Sequence, residues 1–189
     1  MNMLSIEADW PQNYDAELLP GLPGTGPEPS EFAATPQRRG REGVVVRVRH
    51  LGNSWVGNFQ RGDGKLSGIL ATPSADHLCV IASGRGYWVP IHSPTDFQII
   101  KAYPIQDVRP IPELRLLVFS DYTDLVAYGV DGLRWSSGQV SWDGIAILRA
   151  DAHGIVGTAW DARRKEKVGF FVDAKTGRSE GGAAPPTDR

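Results

Sequence analysis

The densest group of potential metal ligands is Asp76, His77 and Cys79, followed by His92 and Asp96. Imidazole, thiolate and carboxylate together suit a zinc ion. On a strand, His77 and Cys79 at i and i+2 share a face, as a site requires. Cysteine is also among the most buried residue types, and a polar residue at a strand end is ordinary. His92 precedes Ser93-Pro94, where the chain is expected to leave a sheet. The reading is a packed Cys79, with no metal and no cofactor. Nucleophilic catalysis needs Ser or Cys beside a His base and an orienting carboxylate, and Ser83-Gly84-Arg85-Gly86 lacks a nucleophile-elbow pattern. Gly62-Asp63-Gly64 and Gly84-Arg85-Gly86 lead into strands, so they are hairpin turns and not phosphate cradles. Asp121 and Asp124 form a carboxylate pair, but Ser120-Asp121-Tyr122-Thr123-Asp124 has the composition of a polar turn. No catalytic residue is assigned, and an enzyme is the less favoured class.

Binding chemistry is better represented. Arg163-Arg164-Lys165-Glu166-Lys167 is the one concentrated basic run after residue 42, and it is expected at the tip of a hairpin running from Trp160 to Phe170. Six tryptophans are many for this length. At least three of Trp55, Trp88, Trp135, Trp142 and Trp160 should fill the core, while exposed ones beside tyrosines offer stacking surfaces for sugars or protein hot spots. Trp10, Tyr14, Leu18 and Leu19 are apolar groups that a purely solvating N-terminal stretch would not need. The partner-binding candidates are therefore Trp10, Tyr14, Arg163, Arg164, Lys165 and Lys167, and the expected partner is another protein. The favoured function is a non-catalytic interaction protein of inhibitor, immunity or complex-subunit type, using a β-sheet surface and the N-terminal arm. The alternative is a binder of a sugar or nucleotide, or a hydrolytic enzyme.

The elements that must position these residues follow from composition and period. The 189 residues suffice for one good-sized core and exclude a large multidomain enzyme. Twenty basic against 22 acidic residues leave a charge of −2, with no global field to draw nucleic acid or an anionic membrane. The first residues show neither the basic start nor the apolar run of a secretory signal or membrane anchor. Lone Cys79 can form no internal disulfide, which fits a reducing cytoplasm. Fifteen arginines against five lysines reflect the coding bias of a GC-rich, bacterial-type genome.

Residues 1–42 carry seven acidic residues and three arginines. Pro20, Pro23, Pro27, Pro29 and Pro36 punctuate this stretch, so the expectation is an irregular, extended arm with no sheet ladder. Its acidic part, Glu7 to Glu31, is expected to fold back toward Arg47, Arg49 or the Arg163 cluster. From Gly43 the period becomes two, with Val44, Val46 and Val48 alternating against Val45, Arg47 and Arg49. Strand-like runs follow at short spacing: His77 to Ala82, Gly86 to Ile91, Phe97 to Ala102, Leu114 to Ser120, Asp124 to Gly129, Leu133 to Ser136, Gly144 to Ala150, Ile155 to Trp160 and Val168 to Asp173. Glycine-bearing turns separate them. The most helix-like window, Pro112 to Val118, is short and β-branched at its end. These signals predict an all-β protein, mostly antiparallel, with one domain over 43–182 and a flexible tail over 183–189.

Residues 77–88 overlay on 124–135, matching Leu78 to Leu125 and Trp88 to Trp135, each a strand, a glycine turn and an aromatic strand. A third hairpin of the same logic spans 154–177. Val172-Asp173-Ala174-Lys175-Thr176-Gly177 resembles the aspartate-to-threonine-glycine turn of quinoprotein-like β-propeller repeats, and Ser141-Trp142-Asp143-Gly144 resembles the tryptophan-aspartate element of other propellers. The resemblance implies blade-like sheets. A closed propeller takes about four to eight blades of roughly 40 to 50 residues, and residues 43–182 hold about three. The expected architecture is an antiparallel meander of blade-like sheets, whether open, a sandwich or a partial propeller. No quinone or metal site is carried over.

Overall fold

The computed structural model describes residues 2–3, 10–26, 28–35 and 43–183. The described residues are all-β, in four sheets, and fall into two compact units divided between Lys101 and Ala102. The sequence reading, with one domain over 43–182, draws no boundary between Lys101 and Ala102.

The first unit holds strands β1 (Asn2–Met3), β2 (Asp15–Leu19), β3 (Ser30–Phe32), β4 (Val44–His50), β5 (Asn53–Phe59), β6 (Leu66–Ala71), β7 (His77–Ala82), β8 (Arg85–Pro90) and β9 (Gln98–Ile99). They form two sheets, ordered β2-β4-β5-β3 and β1-β6-β7-β8-β9. Pairing is antiparallel except at β1 with β6 and β3 with β5. The valine alternation of β4 turns Val44, Val46 and Val48 into a core with Phe59, Leu78, Val80, Tyr87 and Val89. Phe32 stacks on Phe59 with ring centres 4.1 Å apart, and Phe97 closes on Phe32 at 5.0 Å. The space for this stack exists because residue 57 is glycine, where a Cβ would lie 2.7 Å from both the Phe32 and Phe59 rings.

The N-terminal stretch corrects the expectation of an arm without a ladder. The prolines cluster at 20–29 and leave two proline-free segments on either side, and both pair with the sheet. β2 runs antiparallel to β4 with Asp15 opposite Arg49 and Glu17 opposite Arg47, and β3 runs parallel to β5. The acidic residues do fold back, onto Arg47 and Arg49: Glu17 Oε1 accepts from Arg47 Nη1 at 2.8 Å and from Arg49 Nη2 at 2.7 Å, and Asp15 Oδ2 accepts from Arg49 Nη1 at 3.0 Å. Buried Asn58 locks β3 in place, donating to Glu31 Oε1 at 2.9 Å and accepting from the Gly43 amide at 2.8 Å. Glu7 and residues 36–42 lie outside the described residues.

The second unit holds β10 (Asp107–Ile111), β11 (Leu116–Ser120), β12 (Asp124–Gly129), β13 (Gly132–Gln139), β14 (Ile145–Ala150), β15 (Gly154–Asp161), β16 (Glu166–Asp173) and β17 (Ser179–Gly181). Two antiparallel meanders result, β10-β11-β12-β13 and β14-β15-β16-β17, each with its strands in chain order. One core joins them: Ile111, Val118, Leu125, Trp135, Ile155, Phe170 and Val172 are among its members. The helix-like window at Pro112 becomes a single 3-10 turn, Pro112–Leu114, ended by Arg115 in the left-handed region at φ 51°. The two overlaid sequence segments are the β7-β8 and β12-β13 hairpins. A bulge between Ala127 and Tyr128 shifts the second register by one residue, so Trp88 faces Cys79 while Trp135 faces Ala127. Of the tail expected from 183 onward, Ala183 is buried and donates its amide to Val140 O at 2.7 Å; residues 184–189 lie outside the described residues.

Aspartates set the tight turns of this unit. The Oδ1 atoms of Asp121, Asp151, Asp161 and Asp173 each accept two backbone N–H groups from the residues two and three positions on. A short acceptor side chain that reaches its own following backbone stabilises a turn without help from the core.

Candidate functional site

The basic run stands where the sequence placed it. β15 and β16 pair through eight residues, from Gly154 opposite Asp173 to Asp161 opposite Glu166, and the chain reverses over residues 162–165. Arg163, Arg164, Lys165 and Lys167 are all exposed. Asp161 organises the tip: its Oδ1 accepts the Arg163 and Arg164 amides at 2.9 and 3.2 Å, and its Oδ2 lies 3.6 Å from Arg164 Nε. The Arg163 guanidinium sits over the Trp142 ring, 5.6 Å from its centre, an attraction between a cation and the electron-rich ring face.

The face of β15 and β16 turned away from the core has an unusual profile. Alternation places Val156, Thr158 and Trp160 there from β15, and Lys167, Gly169 and Phe171 from β16. Thr158 lies opposite both Ala146 and Gly169, so the middle of this face is a floor of small side chains. Trp160 and Lys167, opposite one another, stand beside it as a wall. The resulting trough of about 190 Å³ is lined by Asp143, Gly144, Ile145, Ala146, Thr158, Trp160 and Lys167. Buried Ser141 holds it together: its Oγ donates to Gly144 O at 2.9 Å and accepts from the Trp160 amide at 3.0 Å. Trp142 in turn donates its amide to Trp160 O at 3.1 Å. The arrangement sets aromatic faces and cations side by side, with Asp143 and Thr158 as the other polar groups of the trough.

The two N-terminal candidates fare differently. Tyr14 is only 8% exposed and donates its hydroxyl to His77 O at 2.9 Å, which corrects its assignment as a contact residue. Burial raises its phenol far above the ordinary value, the effect of removing a charged form from water. A lone tyrosine in a polar stretch reads equally as a surface handle or as an anchor, and here the pairing of β2 delivers it to the core. Trp10 is half-buried.

The metal candidates separate. Cys79 is fully buried, and burial raises its thiol well above the ordinary range, so it stays protonated. His77 Nδ1 lies 3.0 Å from Ser74 Oγ. Asp76 Oδ1 accepts from Asn13 Nδ2 at 2.8 Å and lies 3.7 Å from His92 Nε2, while the His92 and His50 rings meet edge to face at 4.9 Å. Among the described residues no three His, Cys, Asp or Glu side chains converge at metal-binding distance. Asp121 spends its Oδ1 on the Thr123 and Asp124 amides, as a turn residue does.

Sequence reasoning missed a second concave surface, in the same unit, at the opposite end of β16 from the hairpin tip. Leu114, Leu116, Arg134, Trp135 and Lys175 line one depression of about 130 Å³, and Leu114, Arg115, Leu116, Gly129, Val130, Asp131 and Arg134 line an adjoining one of about 230 Å³. Its cations are scattered in sequence, and no local pattern brings residues 115, 134 and 175 together.

No family model matches the chain, and no curated protein matches it. Among solved structures, the chain is similar to the N-terminal domain of Nup159, with a TM-score of 0.42 and 10% identity over 100% of this chain and 55% of that one. The chain thus spans about half the length of that domain. Among the described residues, no helix is long and apolar enough to cross a membrane.

Proposed function

We propose that this chain is a non-catalytic protein-interaction module, of inhibitor, immunity or complex-subunit type, that binds another protein through the β15-β16 hairpin and the trough beside it. The observation that carries the reading is the exposed hairpin tip, where Arg163 is stacked on Trp142 and Lys167 stands opposite Trp160. An eight-residue ladder and the Asp161 turn hold these side chains in place before any partner arrives, which lowers the entropy lost on binding. The trough volume of about 190 Å³ falls below the roughly 300–1,000 Å³ of pockets that enclose small ligands, so it favours a protein surface over a sugar or nucleotide.

The test is affinity purification at endogenous concentration, comparing the natural chain with an Arg163→Glu/Lys167→Glu variant whose circular dichroism is unchanged. The expected result is a stoichiometric protein partner that is lost with the variant. Equal recovery with both chains would remove the hairpin from the interface. A bound metabolite in place of a protein would overturn the class and favour the small-molecule alternative.

A further inference from the structure

From the second concave surface we infer that the groove between the Pro112–Leu114 turn, the β12-β13 hairpin and the β16-β17 turn docks an acidic peptide segment of a partner protein, one in which carboxylates flank a single aliphatic or aromatic side chain. The inference stands on residues separate from the hairpin tip. Glu166 and Asp173 mark the two ends of β16, and seven steps of a strand place the sites on the order of 20 Å apart.

Charge comes first. Three cations, Arg115, Arg134 and Lys175, line the two adjoining depressions against a single carboxylate, Asp131. Neither Arg134 nor Lys175 enters an ion pair within 4.0 Å among the described residues; Lys175 feels the Asp173 carboxylate at longer range, and Arg134 carries the stronger claim on a ligand. An arginine fork matches a carboxylate through two parallel hydrogen bonds, while a lysine contributes a point charge.

Rigidity comes second. The stem of Arg134 lies against Gly129, where an added Cβ would sit 3.0 Å from Arg134 Cγ, and Arg134 lines both depressions. Trp135 ties the β16-β17 turn to β13, donating from Nε1 to Ala174 O at 2.9 Å inside the core. Gly177, at φ 74°, fits against the Trp135 ring. The wall that carries Lys175 is therefore fixed to the wall that carries Arg134.

Size comes third. Depressions of about 130 and 230 Å³ are too small to enclose a free nucleotide or drug-sized molecule, for which roughly 300–1,000 Å³ is usual, and each takes a single side chain of an extended segment. Leu114, Leu116 and Trp135 add apolar surface beside the cations, which a bare anion would not use.

The probe is the peptide acetyl-Ser-Glu-Glu-Leu-Asp-Glu-Ser-amide, titrated into the 189-residue chain and followed by the amide, arginine Nε and tryptophan indole signals in nitrogen-15 correlation spectra. Saturable shifts at Arg134, Trp135 and Lys175 are expected. Affinity should fall at least tenfold in an Arg134→Gln/Lys175→Gln variant, and remain unchanged in Lys65→Gln, an exposed charge in the other unit. The same peptide with Gln and Asn in place of its acidic residues should give no saturable shift, an arm that needs no variant to fold. Equal binding of the two peptides, equal weakening by Lys65→Gln, or shifts centred on residues 161–167 would each overturn the inference. Saturable binding of inorganic phosphate without binding of the peptide would overturn it too, leaving a simple anion site.

Discussion

Replacing Tyr14 tests whether the N-terminal stretch is part of the first unit's core. The side chain is 8% exposed, packs in the same cluster as Val44, Val46, Val48 and Val89, and donates to His77 O at 2.9 Å. In Tyr14→Phe the ring stays and one hydrogen bond goes. The single hydroxyl proton of Thr72, whose Oγ1 lies 2.8 Å from Ser74 O and 3.0 Å from His77 O, can turn to the vacated His77 O, so the loss should be about 1 kcal/mol. In Tyr14→Ala the ring goes as well, and removal of a buried aromatic costs about 3–5 kcal/mol. The assay is native-state hydrogen exchange, read at the amides of the fully buried Val46 and Val48 in β4 and Val80 in β7. Protection at these amides should fall by the same free energies, with the Ala variant about 2–4 kcal/mol below the Phe variant. A Tyr14→Ala protein within about 0.5 kcal/mol of the natural one would refute the reasoning, because that is the effect of a surface substitution.

Three further outcomes follow from the same geometry. Gly177→Ala should lower stability by at least about 1–2 kcal/mol in thermal unfolding, since φ 74° is costly for an L side chain and the new Cβ would meet the Trp135 ring at 2.7 Å; an unchanged melting temperature would show that the turn relaxes freely. The Cys79 thiol should resist a colourimetric disulfide reagent in the native protein and react fully in denaturant, and Cys79→Ala should cost roughly 1–2 kcal/mol as a small cavity. Hydrogen bonds from Arg47 and Arg49 hold the Glu17 carboxyl below its ordinary value of 4.5, so its stabilisation is present above about pH 4.5 and is lost as pH falls through the lower folded value. Melting temperatures from pH 7 to pH 3 should accordingly fall less steeply on the acid side in Glu17→Gln, and a superimposable profile would refute the contribution.

Alternation located β4, and short apolar runs bounded by turn residues located most of the other strands. Val44–His50 carries its period in consecutive residues, His77–Ala82 and Asp124–Gly129 are continuous buried runs, and the glycine and aspartate turns between strands act through their own neighbouring backbone. The tip at Arg163 to Lys167 was legible for the same reason, since a hairpin joins residues that are already close in the chain. Strands β2, β3, β6 and β10 were not legible. They are short or carry proline, glycine or charge, and each is extended because a neighbouring strand offers its edge, a longer one in the case of β2 and β3: Glu17 has no reason to be extended until Arg47 lies opposite it. Burial of Tyr14 follows from that pairing and from nothing in its flanking sequence. The groove of Arg134, Trp135 and Lys175 is likewise a product of tertiary structure. Its walls come from turns up to 60 residues apart, Arg115 to Lys175, and only the closing of one core beneath both meanders brings their side chains to a common surface. Local periodicity reports which face of a strand is buried, whereas convergence of charge between elements depends on long-range contacts that no window of sequence contains.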